Sequence, residues 1–214
     1  MIVTAVERQQ RRRRGNVFVD GRFALALGME LAAEHDLRPG RTLSPEELSA
    51  LAEAEARRNA LESALRLLSY RPRSERELGD RLARKGFGRE VIAGTLSRLR
   101  ELGYLDDAAF ARFWTETRQA FRPRSRWLLA GELRRRGVSQ EAAEGATAAI
   151  SDEQAAYQAA ARRLRALRGL EYQQFRERLG RFLTSRGFSY AVARRTIERC
   201  WAELGAGQAE GEAL

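Results

Sequence analysis

The amino-acid sequence predicts a mainly α-helical protein of tandem three-helix repeats forming an elongated curved array, with a small N-terminal β-hairpin element. From about residue 59 onward, a pattern of apolar residues and glycines recurs after 51 and then after 50 residues. Residues 1–27 instead contain short apolar runs interrupted by an Asp-Gly pair. The 214-residue chain contains only 4 prolines, so long helices are possible.

The repeat is clearest at the turns and at the helix ends. Residues 70–74 read Tyr-Arg-Pro-Arg-Ser and residues 121–125 read Phe-Arg-Pro-Arg-Ser, whereas the third copy has an unrelated stretch at 170–175. Each copy places a leucine four residues before a glycine: Leu82 and Gly86, Leu133 and Gly137, Leu183 and Gly187. A basic residue precedes each glycine and an apolar residue follows it, which is typical of a helix that ends in a left-handed glycine.

The N-terminal segment is predicted to be β. The Asp20-Gly21 pair lies between two apolar runs, which indicates a two-residue hairpin turn. In that register Phe18 would face Phe23, and Val17 would face Ala24. Because an isolated hairpin is marginal in water, we expect it to pair with the segment around Val3 or to pack on a helix.

Helix-start signals follow this segment. A short helix is expected around Met29–His35, and Ser44-Pro45-Glu46-Glu47 combines an N-cap serine, a proline at the first helical position and a glutamate three residues after the cap. Ser74 and Glu77 form the same capping-box pattern in the first repeat.

These signals divide the chain into six segments. We expect a β-hairpin element at 1–43, a connecting helix at 44–58, three-helix repeats at 59–105, 106–150 and 151–204, and a flexible tail at 205–214.

The net charge of +10 indicates an anionic partner, although a solvated arginine-rich surface is the alternative. The four blocks 1–58, 59–105, 106–150 and 151–214 carry net charges of +1, +4, +2 and +3. No apolar run approaches the roughly 18 residues that span a bilayer, and the polar, basic start is unlike a secretory signal. We therefore expect a cytoplasmic protein that does not enter a membrane.

Residues suited to catalysis or metal binding are scarce. The single cysteine, Cys200, and the single histidine, His35, exclude an internal disulfide and a Cys/His zinc site. We interpret Cys200 as a core residue, His35 as a helix-end residue, and Asp106-Asp107 as a helix N-cap, not a magnesium site. With no Gly-rich phosphate loop and no paired nucleophile and base, the sequence predicts a binding protein that is not an enzyme and needs no cofactor.

Three stretches together resemble the RecX family, the bacterial modulators of the RecA recombinase. They are Ala-Leu-x-Leu-Leu-Ser-Tyr-Arg-Pro-Arg-Ser-Glu-Arg-Glu-Leu at 64–78, Leu-x-x-Lys-Gly-Phe at 82–87, and Leu-x-x-Leu-Gly-Tyr-Leu-Asp-Asp-x-x-Phe-Ala at 99–111. The resemblance covers about residues 59–204, and the hairpin resembles an N-terminal extension of some members. It implies tandem three-helix repeats, and a monomer that binds RecA filaments on DNA in the filament groove. It also implies inhibition of ATP hydrolysis, strand exchange and coprotease activity.

The candidate partner- and DNA-binding residues are arginines at the turns and on the helices. The turn arginines are expected to project from one side of the array, where they could meet acidic side chains or DNA phosphates, or could simply be solvated. The candidates are Arg71, Arg73, Arg76, Arg122, Arg124, Arg126, Arg134, Arg135, Arg136, Arg162 and Arg163. The run Arg11–Arg14 is expected to be a mobile loop that grips an anionic partner or is disordered.

Two further expectations concern aromatic residues and the mode of binding. The aromatic residues of the repeats are expected to be mostly core residues, with base stacking as a minority role. They are Tyr70, Tyr104, Phe110, Phe113, Trp114, Phe121, Trp127, Phe182, Phe188 and Trp201. The alternative to a filament regulator is a DNA-binding protein that acts alone on single strands or at a promoter.

Overall fold

A computed structural model describes residues 1–9 and 13–211, with side chains through residue 205. Within this part of the chain, the mainly helical fold with a small N-terminal sheet is confirmed. The strands are β1 Val3–Arg8, β2 Arg14–Val19 and β3 Arg22–Gly28. The helices are α1 Met29–Glu34, α2 Pro45–Tyr70, α3 Glu75–Arg84, α4 Arg89–Glu101, α5 Asp107–Phe121, α6 Arg126–Arg135, α7 Gln140–Thr147, α8 Asp152–Leu167, α9 Tyr172–Ser185 and α10 Tyr190–Gly211.

The chain divides into two compact units. The first contains residues 1–71 and 78–105, and the second contains residues 72–77 and the chain from residue 106 onward. In the first unit, α2, α3 and α4 supply a core around Ala64, Leu78, Leu82 and Leu99. In the second unit, α5–α7 and α8–α10 each have a hydrophobic cluster of their own.

The N-terminal sheet is antiparallel with strand order β1-β2-β3, so the hairpin does pair with the Val3 segment. Asp20 and Gly21 form the turn with φ of 48° and 77°, and Phe18 pairs with Phe23 as expected. The other expected pair is wrong: Val17 lies opposite Leu25 and not Ala24, because a β-bulge shifts the register between Val17 and Phe18.

A buried carboxylate ties this sheet to α2. Glu55 is 6% exposed, and its carboxylate accepts hydrogen bonds from the Gly28 backbone N–H at 3.0 Å and the Asn59 side-chain amide at 3.0 Å. Its other charged contact is Arg14, 2.9 Å away. Arg14 is the first residue of β2 and is held by this ion pair, so it is not part of a mobile loop. Arg11 and Arg12 lie outside the described residues.

The predicted helix-start signals act as expected. The Ser44 hydroxyl accepts from the Glu47 N–H, the Glu47 carboxylate accepts from the Ser44 N–H, and Pro45 is the first helical residue. From there α2 continues for 26 residues without a break, across the boundary placed at 58/59. At the other end of the chain, α10 extends to Gly211, into the segment 205–214 for which we expect a flexible tail.

The three glycine helix ends are confirmed. The φ angles of Gly86, Gly137 and Gly187 are 89°, 89° and 83°. After each glycine, the N–H of the next, apolar residue donates to the carbonyl of the leucine five residues before it. These bonds join Phe87 to Leu82 at 3.3 Å, Val138 to Leu133 at 3.2 Å, and Phe188 to Leu183 at 3.2 Å. All three leucines are fully buried, which confirms the register of the repeat.

Within the second unit, the start of one helix rests on the glycine end of another at two equivalent places. We call the first the 74/137 contact: the Ser74 hydroxyl donates to the Arg136 carbonyl at 2.6 Å, and the Glu75 N–H donates to the Asp107 carboxylate at 2.8 Å. A Cβ on Gly137 would lie 2.5 Å from the Cβ of Arg76. Only glycine therefore allows this approach.

The second place, the 125/187 contact, joins equivalent residues about 50 positions later, with a backbone N–H in place of the serine hydroxyl as one donor. The Ser125 N–H donates to the Arg186 carbonyl at 3.1 Å, and the Arg126 N–H donates to the Asp152 carboxylate at 2.8 Å. A Cβ on Gly187 would lie 2.7 Å from the Ser125 hydroxyl. The glycine that ends each helix thus also admits a neighbouring helix start.

The expectation for the aromatic residues is wrong for most of them. Phe110 and Phe188 are buried, and Trp114 and Phe182 are half-buried. The other six are exposed because most of them lie at helix ends or in turns, where the chain leaves the core: Tyr70, Tyr104, Phe113, Phe121, Trp127 and Trp201. This leaves aromatic surface beside the arginine-rich turns.

Candidate functional site

The arginines predicted to bind a partner differ in how exposed they are. Arg73 is buried, at 7% exposure, while Arg71, Arg124 and Arg136 are half-buried. The remaining candidates are exposed: Arg76, Arg122, Arg126, Arg134, Arg135, Arg162 and Arg163.

Two of the turn arginines are structural, which corrects the expectation that all four project freely from the turns. Arg73 contacts Glu77 at 2.6 Å, one helical turn further on. Arg124 pairs with Glu132, a residue that is only 8% exposed. A carboxylate on the adjacent helix draws each arginine inward, since a buried guanidinium needs a countercharge.

Glu132 organises a network inside the second unit. Besides Arg124, its carboxylate accepts from the indole N–H of Trp114 at 3.1 Å and lies 3.4 Å from the Arg118 guanidinium. The guanidiniums of Arg118 and Arg136 lie over the Trp114 ring, 4.3 and 3.8 Å from its centroid. This network holds α5 against α6. Its charged groups are already engaged with one another.

A second group of arginines surrounds a small cavity of about 100 Å³ in the same unit. We call it the arginine pocket, and it is defined by Arg122, Arg162, Arg163 and Arg186 around Phe121, Pro123 and Phe182. Arg162 donates to the carbonyls of Phe121 and Ala120 at 2.7 and 2.8 Å. These carbonyls lie at the C-terminal end of α5, where the helix dipole favours a cation.

Arg163 and Arg186 contact an aromatic ring, and Arg186 also contacts a carbonyl. The guanidiniums of Arg163 and Arg186 lie 4.6 and 4.9 Å from the centroid of Phe182. Arg186 also donates to the Pro123 carbonyl at 3.4 Å. Among the residues that the structure describes, no carboxylate lies within 4 Å of any of the four guanidiniums.

The electrostatics show the mutual repulsion of these cations. Partial burial, and then repulsion from Arg122, Arg163, Arg118 and Arg162, lowers the pKa of Arg186 from its ordinary value. Partial burial followed by repulsion from Arg118 and Arg186 likewise lowers the pKa of Arg124. The pocket is a site of concentrated positive charge that an anion would relieve.

Sequence reasoning found three of the four pocket arginines and missed Arg186. The signal was present, because Arg186 precedes Gly187 just as Arg136 precedes Gly137. Arg118 and the carboxylate of Glu132 were also missed. Their role depends on contacts across helices, which no local pattern specifies.

The other residues singled out in the sequence have structural roles in this part of the chain. Asp106 is the N-cap of α5 and accepts from the Ala108 and Ala109 N–H groups, as expected. His35 is the C-cap of α1. Cys200 is fully buried in the cluster of α8–α10, and burial raises the pKa of its thiol to about 11.

Neither a membrane span nor a metal site is found among the described residues. None of their helices combines the length and apolarity needed to cross a membrane. No group of three or more His, Cys, Asp or Glu side chains among them is placed to hold a metal ion.

Four family models match the chain in order. They are the regulatory protein RecX N-terminal domain at residues 1–44, and the first, second and third three-helix domains of RecX at 60–99, 106–146 and 151–197.

Curated relatives carry the name regulatory protein RecX. The protein of Thermobifida fusca is 38% identical over 162 residues, which cover 74% of this chain and 83% of the relative. The protein of Lactobacillus delbrueckii subsp. bulgaricus is 33% identical over 153 residues, covering 72% of this chain. The match spans 56% of that longer relative.

Solved structures share the fold. A crystal structure of regulatory protein RecX superposes with a TM-score of 0.67 over 92% of this chain and 98% of the other, at 22% identity. RecX from Lactobacillus salivarius gives a TM-score of 0.59 over 69% of this chain and 97% of the other, at 20% identity. On the family models and the Thermobifida relative, this chain belongs to the RecX family of regulatory proteins.

Proposed function

We propose that the protein binds RecA and RecA–DNA filaments in the filament groove and inhibits ATP hydrolysis, strand exchange and coprotease activity. Through this inhibition it modulates homologous recombination, DNA repair and the SOS response. It acts in the cytoplasm as a monomer, is not an enzyme and requires no cofactor. Membership of the RecX family is the observation that carries this proposal.

The surface of the second unit supports a protein-binding role. Phe121 and Trp127 are 76% and 71% exposed, and each is next to an exposed arginine, Arg122 or Arg126. Trp, Tyr and Arg dominate the binding energy of protein interfaces, because their large side chains combine apolar area with directed polar groups. An exposed aromatic residue beside an arginine is therefore suited to a partner surface that carries acidic and apolar groups.

The direct test is RecA ATP hydrolysis on single-stranded DNA, with and without the protein. We expect the rate to fall as the protein approaches stoichiometric amounts, and the protein to co-sediment with filaments. A flat rate at excess protein, together with no co-sedimentation, would refute the proposal.

Surface variants locate the contact without unfolding the protein. Arg126→Ala combined with Trp127→Ala removes two exposed side chains, so we expect weaker inhibition with an unchanged melting temperature. Arg181→Ala controls for the loss of one exposed arginine, since Arg181 is also exposed and pairs with Glu177 one turn away. Arg73 and Arg124 are unsuitable for this purpose, because their ion pairs are part of the fold.

The alternative function is a DNA-binding protein that acts alone, and salt separates the two. Affinity that rests on phosphate contacts falls by about 0.9 log units per log of salt for each duplex phosphate and by about 0.7 for single strands. Apolar and hydrogen-bonded contacts to a filament are not screened in this way. Equal affinities and equal salt slopes on bare DNA and on preformed filaments would favour the solitary DNA binder.

A further inference from the structure

The 74/137 and 125/187 contacts bring together equivalent helix starts and glycine helix ends but differ in charge. At the 74/137 contact, Arg136 lies 3.6 Å from Glu77, which also holds Arg73. Glu132 lies on α6 and neutralises Arg124 and Arg118. Glu77 is thus the carboxylate that serves the first contact directly, while Glu132 pairs with Arg124, the residue equivalent to Arg73 in the 121–125 turn.

The equivalent positions at the 125/187 contact have lost both carboxylates. The repeat offsets of 51 and 50 residues place Leu128 where the first contact has Glu77, and Phe182 where it has Glu132. The arginine is retained, because Arg186 stands in the position of Arg136. Arg186 therefore faces an aromatic ring and a carbonyl where its counterpart faces a carboxylate.

In the arginine pocket, three further arginines lie around the same cavity as Arg186. Arg122 comes from the turn after α5, Arg162 and Arg163 come from α8, and Arg186 ends α9. Residues of the second repeat (121–123) and of the third (162–186) line the cavity together. An anion in the cavity would give Arg186 the countercharge that Glu77 gives Arg136 at the first contact, and it would link both repeats.

We propose that the arginine pocket binds one phosphate group of a nucleic-acid strand, and that this phosphate stabilises the contact between the second and third repeats. A planar guanidinium donates two parallel hydrogen bonds to phosphate oxygens, and converging guanidiniums hold a tetrahedral anion from several sides. The cavity of about 100 Å³ is large enough for one phosphate group, and a phosphate contact does not read the bases. The contact is therefore independent of base sequence.

This inference adds a nucleic-acid contact to the proposed filament regulator, and it can be tested without RecA. Thermal unfolding of the full chain would be followed while inorganic phosphate replaces chloride at constant ionic strength. We expect the melting temperature to rise with the logarithm of the phosphate concentration above the dissociation constant, by about 3–6 °C at ten times that constant. Arg122→Ala combined with Arg163→Ala should abolish the rise.

The matched control is Arg181→Ala combined with Arg194→Ala, which removes the same charge from exposed, ion-paired positions of the same unit. It should retain the response to phosphate. A second variant, Leu128→Glu, restores a carboxylate at the position equivalent to Glu77, and it should also remove the response. An equal response in wild type, pocket variant and control would show only general ion effects and would overturn the proposal.

Single-stranded oligonucleotides identify the source of the phosphate. Loss of one contacted phosphate should reduce the slope of log affinity against log salt by about 0.7 in the pocket variant. An unchanged slope, with the phosphate response intact in wild type, would assign the pocket to free phosphate and refute the nucleic-acid part. A polyglutamate peptide that competes as strongly as the oligonucleotide would instead favour an acidic protein partner. RecA inhibition that persists in the pocket variant leaves the proposed function standing.

Discussion

Substitution of alanine for Gly137 tests whether the helix-ending glycines also govern the approach of neighbouring helices. Gly86 is the internal control, because both glycines have a φ of 89° and both end a helix in the same way. Adding a side chain in the left-handed region costs roughly 1–2 kcal/mol at either position. The surroundings differ, since the structure places no atom within 4 Å of a Cβ on Gly86.

At Gly137 the added Cβ would lie 2.5 Å from the Cβ of Arg76. A Cβ cannot rotate away as the end of a side chain can, so the helix start at 74–77 has to move. Overpacking of this kind costs about 1–3 kcal/mol beyond the backbone strain. We therefore expect Gly86→Ala to lose about 1–2 kcal/mol and Gly137→Ala to lose about 2–5 kcal/mol.

Urea unfolding followed by circular dichroism measures both free energies. For a protein of this size, the additional 1–3 kcal/mol corresponds to a melting temperature that is lower by about 2–12 °C. In an Arg76→Gly background, which removes the opposing Cβ, Gly137→Ala should cost no more than Gly86→Ala. Equal losses for the two glycines in the wild-type background would refute the steric argument.

Three further results are expected. Leu82→Ala should reduce the unfolding free energy by about 2–5 kcal/mol, because Leu82 is fully buried; an unchanged denaturant midpoint would show that the repeat register is wrong. Glu132→Ala should cost no more than about 3–5 kcal/mol, the cost of breaking a fully buried pair, since it strands the half-buried partners Arg124 and Trp114; Glu132→Gln should recover part of the loss by keeping an acceptor for the indole, and equal losses would contradict that assignment. Burial raises the pKa of Cys200 to about 11, so at pH 8 the native thiol should react with iodoacetamide far more slowly than the urea-unfolded thiol; equal rates would place Cys200 at the surface. Because the folded state holds this proton more tightly, the contribution of Cys200 to stability should fall as the pH rises from about 9 towards 11, which Cys200→Ala would not show.

Local signals in the sequence determined the helix ends, the turn and the core leucines. Gly86, Gly137 and Gly187 recur with an apolar residue after each, and that pattern specifies both a left-handed helix end and the leucine whose carbonyl accepts the closing hydrogen bond. The Ser44 capping box is equally local, because the groups that it joins lie within three residues of one another. The Asp20-Gly21 pair specifies its own left-handed backbone, although its polar groups also bond Ile2 and Thr4 on the neighbouring strand segment.

Tertiary structure alone decided which arginines are available. Arg122 and Arg124 belong to one Arg-Pro-Arg turn, yet Arg124 is drawn inward by Glu132 on α6 and Arg122 remains exposed beside a cavity. The bulge that moved Val17 opposite Leu25 likewise depends on pairing across strands. The arginine pocket is assembled from the turn after α5, from α8 and from the end of α9, up to 64 residues apart in the chain. An arginine with an ion-pair partner and one without look alike in the sequence, because only folding brings a carboxylate within 4 Å of the guanidinium.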